Sequence, residues 1–170
     1  NPCKSTNLVT SQNISSMKHF FTIIALLFLS QGFTQVDDAA LVKETIETFF
    51  EGFHKQDSTV IKSVATEDMT LRSISADKEG NQMLSQATGL SSFMKSIVSI
   101  PKSATFEEKI LDYQVAVDGA MALAWTPYEF YFNRKFSHCG VNNFTLFKNN
   151  GNWEVIAIVD TRGREGCQTN

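Results

Sequence analysis

The chain has 170 residues and a formal net charge of −3, with 15 Lys and Arg against 18 Asp and Glu. That length makes one domain with a proper core, and no run of Lys or Arg is dense enough to neutralise several phosphates, so nucleic acid is excluded as a partner. Only 9 Gly and 3 Pro beside 14 Phe, with no repeated segment, exclude a disordered chain or a solenoid.

Met17-Lys18-His19 gives a positive start to the apolar run Phe20 to Leu29, FFTIIALLFL, which is too short to span a bilayer and reads as a secretory signal. The small residues Ser30, Gly32 and Thr34 predict cleavage between Ser30 and Val36, with the mature protein starting near Gln35. No cysteine follows the run, so a lipoprotein anchor is not indicated. Residues 1–16 read as an over-extended gene start or disordered segment, with a longer n-region as the alternative; 17–34 is the signal and 35–170 the domain. The expected destination is the periplasm or medium of a bacterium, with no membrane association after cleavage.

In the mature part, Asp37 or Asp38 caps a long helix with Val42, Ile46, Phe49, Phe50 and Phe53 on one face. Asp57 caps a short helix, STVIKSVA, and MTLRSIS alternates as a strand, with Met69, Leu71 and Ser73 on one side. Asp77 to Gly80 makes a turn before a short strand near Gln82 to Ala87. Gly89 precedes a third helix, LSSFMKSIVSI, stopped by Pro101. Four strands follow, at 106–117, 120–132, 136–148 and 153–160, joined at Asp118-Gly119, Asn133-Arg134 and Asn150-Gly151. Pro127 inside the second of these implies a bulge or an edge position.

This order of elements, with FHKQDSTVIKSVATEDMTLRSI and WTPYEFYFNRKFSHCGVNNFTLFKNNGNWEVIAIVDTRGREGC as its carriers, resembles the nuclear transport factor 2-like superfamily and its exported SnoaL-like members. The resemblance covers the whole mature chain. It implies an α+β fold: a cone-shaped, curved, mixed or antiparallel sheet packed on about three helices from the N-terminal half, enclosing an apolar pocket, often in a dimer. It does not imply one reaction.

A two-residue turn at Asn150-Gly151 pairs Asn149 with Asn152, Phe147 with Glu154, Val141 with Asp160 and Cys139 with Arg162. Alternation then puts Cys139, Val141, Asn143, Thr145 and Phe147 on one face with Ile156, Ile158, Asp160 and Arg162. His138, Gly140, Asn142, Phe144 and Leu146 take the other face with Val155, Ala157 and Val159. Adjacent His138 and Cys139 therefore point apart, which argues against a Cys-His nucleophile. His138 faces Phe130 if the preceding loop has three residues, and Glu129 if it has two. Gly163 to Gly166 let the chain turn back, so Cys139 and Cys167 are expected to form a disulfide.

Asp160 ends an apolar strand as a candidate general base, with Arg162 placed to pair with it. Asp160 and His138 are thus the candidate catalytic residues, while Trp125, Tyr128, His138 and Arg162 are the candidate ligand-binding set. Neither zinc spacing nor a Walker loop, Rossmann fingerprint, nucleophile elbow or HExxH motif occurs, so no metal and no cofactor is expected. Two readings stay open. One is an exported module binding a small apolar molecule; the other is a cofactor-independent isomerase, dehydratase or cyclase using acid-base residues. The strand WTPYEFYF is apolar on both faces, which predicts a homodimer covering the outer one.

Overall fold

The computed structural model describes residues 37–167. The expected signal at 17–34, the reading of 1–16 and the cleavage site lie outside the described residues. Helix α1 (Asp38–Lys55) starts on the side chain of Asp37, which accepts from the Ala39 amide. Its buried stripe is Val42, Ile46, Phe49 and Phe50, as the spacing predicts. Asp57 caps α2 (Ser58–Ser63) through the amides of Thr59 and Val60. The third helix, α3 (Leu90–Val98), buries Leu90, Met94 and Ile97.

The strands are β1 (Ala65–Ala76), β2 (Gln82–Leu84), β3 (Thr88–Gly89), β4 (Phe106–Ile110), β5 (Gln114–Asp118), β6 (Met121–Phe132), β7 (Lys135–Asn149) and β8 (Asn152–Arg162). They form one sheet in the order β2-β1-β8-β7-β6-β4, with β3 beside β1 and β5 beside β6. β1 runs parallel to β8 and every other pairing is antiparallel, so the sheet is mixed. It curls around the helices as a half-barrel, the α+β cone that the resemblance implies.

Three expectations about the strands are corrected. The strand expected at 106–117 is two, because Leu111 to Tyr113 step out of register opposite Pro127, whose nitrogen has no hydrogen to donate. The Leu111 amide still reaches the Pro127 carbonyl at 2.8 Å, and β5 resumes at Gln114. The strand expected near Gln82 to Ala87 stops at Leu84, since Ser85 turns to bond the Ser73 backbone through its amide and hydroxyl. The third correction concerns register. Asn150-Gly151 does form the tight turn, both residues having positive φ, and Asn149 faces Asn152 as predicted. Leu146 then pairs with Val155 but Thr145 with Ala157, leaving Ile156 as an extra residue in β8. From there Asp160 lies opposite Asn142 rather than Val141, and Cys139 bridges Gly163 rather than Arg162.

One bulged residue moves every later side chain of β8 to the other face. Ile158 and Asp160 thereby join Phe144 and Asn142 on the inner face, the side packed on the helices. Along β7 that face runs Leu146, Phe144, Asn142, Gly140, His138, from apolar to polar. Rings fill its apolar end: Phe144 lies 6.0 Å from Phe49 and 5.8 Å from Phe50, and Phe53 lies 4.9 Å from Phe106. What this packing leaves is the polar end of the sheet.

The outer face carries the expected disulfide, Cys139–Cys167, with Cα atoms 5.8 Å apart and 28 residues of separation. It ties the segment after β8 to the start of β7. On the chain-entropy estimate a loop of this size stabilises by about 3–4 kcal/mol. Replacing both cysteines by serine should lower the unfolding free energy by that amount in urea denaturation; a change below about 1 kcal/mol would contradict the estimate.

Candidate functional site

Two bulges build the polar end. The Asn133-Arg134 loop has two residues, which by itself would set His138 against Glu129. Instead the register shifts between Tyr131 and Phe130, Ser137 becomes the extra residue, and His138 faces Phe130. Its ring lies 4.9 Å from Phe130 and edge-on to Tyr128 at 5.8 Å. His138 and Cys139 do point to opposite faces, as the alternation requires. The β8 bulge brings Asp160 to the His138 side, so two residues that simple alternation separates share one face.

Asp160 is the centre of the cluster. Although buried, its carboxylate accepts from the Ser73 hydroxyl at 2.6 Å, from Arg162 Nε at 2.6 Å and from the Tyr128 hydroxyl at 3.3 Å. Three donors, one of them cationic, satisfy a charge that the sheet would otherwise strand in an apolar setting. The single Tyr128 hydrogen is shared with the Thr161 carbonyl, the nearer acceptor at 3.0 Å. Burial and the neighbouring Asp160 carboxylate push the Tyr128 hydroxyl far above its ordinary range, so it stays a protonated donor.

Glu108 completes the cluster and was not singled out from the sequence. β4 reads FEEKI, three charges in a row, which suggests a solvated edge. Period two tells a different story: Phe106, Glu108 and Ile110 share a face, and that face turns inward. The Glu108 carboxylate accepts from the buried Asn142 amide at 2.7 Å, while its backbone amide donates to His54 Nε2 at 2.9 Å. His54 thus holds β4 against α1. Burial keeps the His54 pKa below its usual value, in keeping with an unprotonated Nε2 acting as acceptor. Burial also pushes the Glu108 carboxyl up to about 7, with the Asp160 charge adding to the rise.

The sign of this effect follows from proton counting. Between the ordinary glutamate value of 4.5 and about 7 the folded chain keeps a proton that the unfolded chain releases, so stability falls as pH rises through that window. Glu108→Gln preserves an acceptor for Asn142 and abolishes the titration. The variant should lose that slope and gain about 1–2 kcal/mol over the parent at pH 8, read from urea midpoints across pH; parallel curves for the two would contradict it.

Of the expected ligand set, Tyr128, His138 and Arg162 come together and Trp125 does not. Trp125 pairs with Asn143 and lies on the outer face with Leu123 and Met121, half exposed, because β6 is regular and odd and even positions alternate. A recess of 440 Å³ opens beside the cluster, lined by Ala76, His138, Arg162, Gly163 and Arg164. Arg162 and Arg164 also border a larger groove of 990 Å³ that runs onto the outer face past Ile74, Pro127 and Val141 to the disulfide. Among the described residues no group of three or more His, Cys, Asp or Glu side chains is placed to hold a metal ion, and no helix is long and apolar enough to cross a membrane.

No family model and no curated protein matches the chain. Solved structures do. An NTF2-like protein of unknown function from Shewanella baltica is 16% identical at a TM-score of 0.54, over 79% of this chain and 100% of that one. An NTF2-like protein from Cytophaga hutchinsonii is 11% identical at 0.60, over 75% and 100%. A proposed dehydratase of the NTF2-like family from Streptomyces avermitilis is 12% identical at 0.53, over 74% and 96%. At such identities the likeness carries architecture alone. The helices, the curled mixed sheet and these matches together give the chain the NTF2-like fold.

Proposed function

We propose that this domain is an exported small-molecule-binding module whose ligand sits at the polar end of the inner face. The observation that carries the reading is the cluster of Tyr128, His138, Asp160 and Arg162, of which His138 and Arg162 line one recess, in a fold whose apolar end is packed with phenylalanine rings. Export is supported by the apolar run at 20–29 and by a disulfide of the kind that persists in oxidising compartments. The reading is tested by screening small molecules against the full chain with ligand-observed NMR, then mapping hits onto the His138 ring and Arg162 side-chain resonances. Hits that move those signals are expected; a screen whose hits all bind elsewhere would sink it.

Acid-base catalysis is the second reading, and Glu108 favours it: a carboxyl with a pKa of about 7 is half ionised at neutral pH, as a proton-transfer group should be. Against this, its neighbours Asn142 and Asp160 are satisfied by protein groups, and Glu108 does not line either recess described above.

The homodimer remains a proposal too, supported by the outer face of β6 and β7. There Met121, Leu123, Trp125 and Phe147 are 50%, 41%, 49% and 44% exposed and adjoin one another across the strands. Light scattering should give a dimer at micromolar concentration, with Trp125→Glu shifting it to monomer; a monomeric parent protein would contradict the proposal.

A further inference from the structure

We infer that the recess beside Arg162 recognises the carboxylate of a small organic acid. The inference rests on the binding reading above and narrows it to one chemical class. Arg162 is the reason. Among the described residues its guanidinium makes hydrogen bonds only through Nε, which is fixed at 2.6 Å on the Asp160 carboxylate. Asp160 is itself anchored by Ser73 on β1 and Tyr128 on β6. A guanidinium held by its inner nitrogen has its rotation restricted before any ligand arrives, while the two outer nitrogens keep their hydrogens for a planar, two-oxygen acceptor. The Arg162 side chain is 52% exposed, so that outer edge is open to solvent.

The other groups at the recess fit an anion. Arg164 adds a second cation to the same wall. His138 lies below its ordinary pKa, first through burial and then through Arg162, with Asp160 opposing and Arg164 reinforcing the effect. A neutral imidazole at pH 7 is a hydrogen-bonding group rather than a third charge. Its Nδ1 sits 3.1 Å from the Ser137 hydroxyl, which leaves Nε2 free of partners among the described residues. Two carboxyls oppose an anionic ligand: Asp160, whose own donors already neutralise much of its field, and the partly ionised Glu108, which is held on Asn142 and does not line the recess. Ala76 supplies an apolar wall and Gly163 has no side chain to crowd the 440 Å³ space, a volume for a small acid rather than a long chain.

The test uses the full chain with benzoate and hexanoate as probes, benzamide and hexanamide as their uncharged counterparts, and inorganic phosphate as a non-planar anion, each titrated by NMR on the His138 ring signals. Both acids should bind at the His138 signals, the amides at least about tenfold more weakly, and Arg162→Gln should weaken the acids by about tenfold or more, the loss of one charge-assisted fork. Arg164→Gln, an exposed position whose variant is not expected to disturb folding, should weaken them by a smaller factor. Bound acid should also raise the His138 pKa, because it offsets the arginine charges. Amides that bind as well as acids would overturn this inference and leave the binding reading standing. Phosphate that competes as well as benzoate would overturn the planar-acid assignment in favour of anions at large, and indifference of His138 to every probe would overturn the inference outright.

Discussion

Gly140→Ala should cost more than about 4 kcal/mol or prevent folding altogether, the largest effect expected from any single methyl group in this protein. A Cβ at position 140 would lie 1.8 Å from the Thr161 carbonyl oxygen and 2.7 Å from its carbon, both backbone atoms with no rotamer to retreat into. The contact is close for a reason that involves the site. Between the Cys139–Gly163 bridge and the Asn142–Asp160 pair, the regular ladder lapses, and the Val141 amide donates to the Thr161 hydroxyl instead. The Thr161 carbonyl is turned toward Gly140 and accepts the Tyr128 hydroxyl. Glycine at 140 therefore makes room for the carbonyl that fixes Tyr128. Gly163→Ala is the control, since a Cβ there meets its nearest atom only at 4.0 Å. Thermal or urea unfolding of the two variants should separate them widely, and a mild Gly140→Ala would show that β7 and β8 lie farther apart than described.

Asp160→Ala should destabilise by about 2–3 kcal/mol. The substitution removes the acceptor of three donors at once, and leaves Arg162 without its counter-charge. Loss of a partner from a fully buried pair costs more, but half of the Arg162 side chain is in water and can recover solvation. Tyr128 keeps the Thr161 carbonyl, so it is not stranded. Asp160→Asn, which retains an acceptor for Ser73, should cost about half as much. Urea denaturation at pH 7 distinguishes these values from the near-zero effect expected of a solvated strand-end aspartate.

The contrast between these two residues shows what the sequence could carry. Helix periodicity placed Val42, Ile46, Phe49 and Phe50 in the core because burial of a stripe is a local consequence of spacing. The turn at Asn150-Gly151 was legible for the same reason: positive φ at two consecutive residues is a local demand that this dipeptide meets. The Asp160–Arg162 pair and the Cys139–Cys167 bond were also within reach, since neither requires knowing which face of the sheet is buried.

What could not be read was the face itself. Ile156 and Ser137 are ordinary strand residues, and nothing in their local sequence marks them as the extra residues at the two register shifts. Each bulge reverses the parity of every strand residue beyond it. The register therefore failed at Asp160 while holding at Phe147. Glu108 was missed differently, since its inward direction was implied by Phe106 and Ile110, and the adjoining charges of Glu107 and Lys109 obscured it. Aromatic character points Trp125 to the ligand, but its parity opposes that of Tyr128.

The β8 bulge sets Arg162 and Asp160 on the same face as His138. That shared face is checked by an NMR titration of His138 in the parent chain and in Arg162→Gln. The parent pKa should lie below the ordinary histidine value of 6.5, through burial and the arginine charge, and move upward in the variant. A His138 that titrates at its ordinary value and does not respond to the loss of Arg162 would put the two residues on opposite faces.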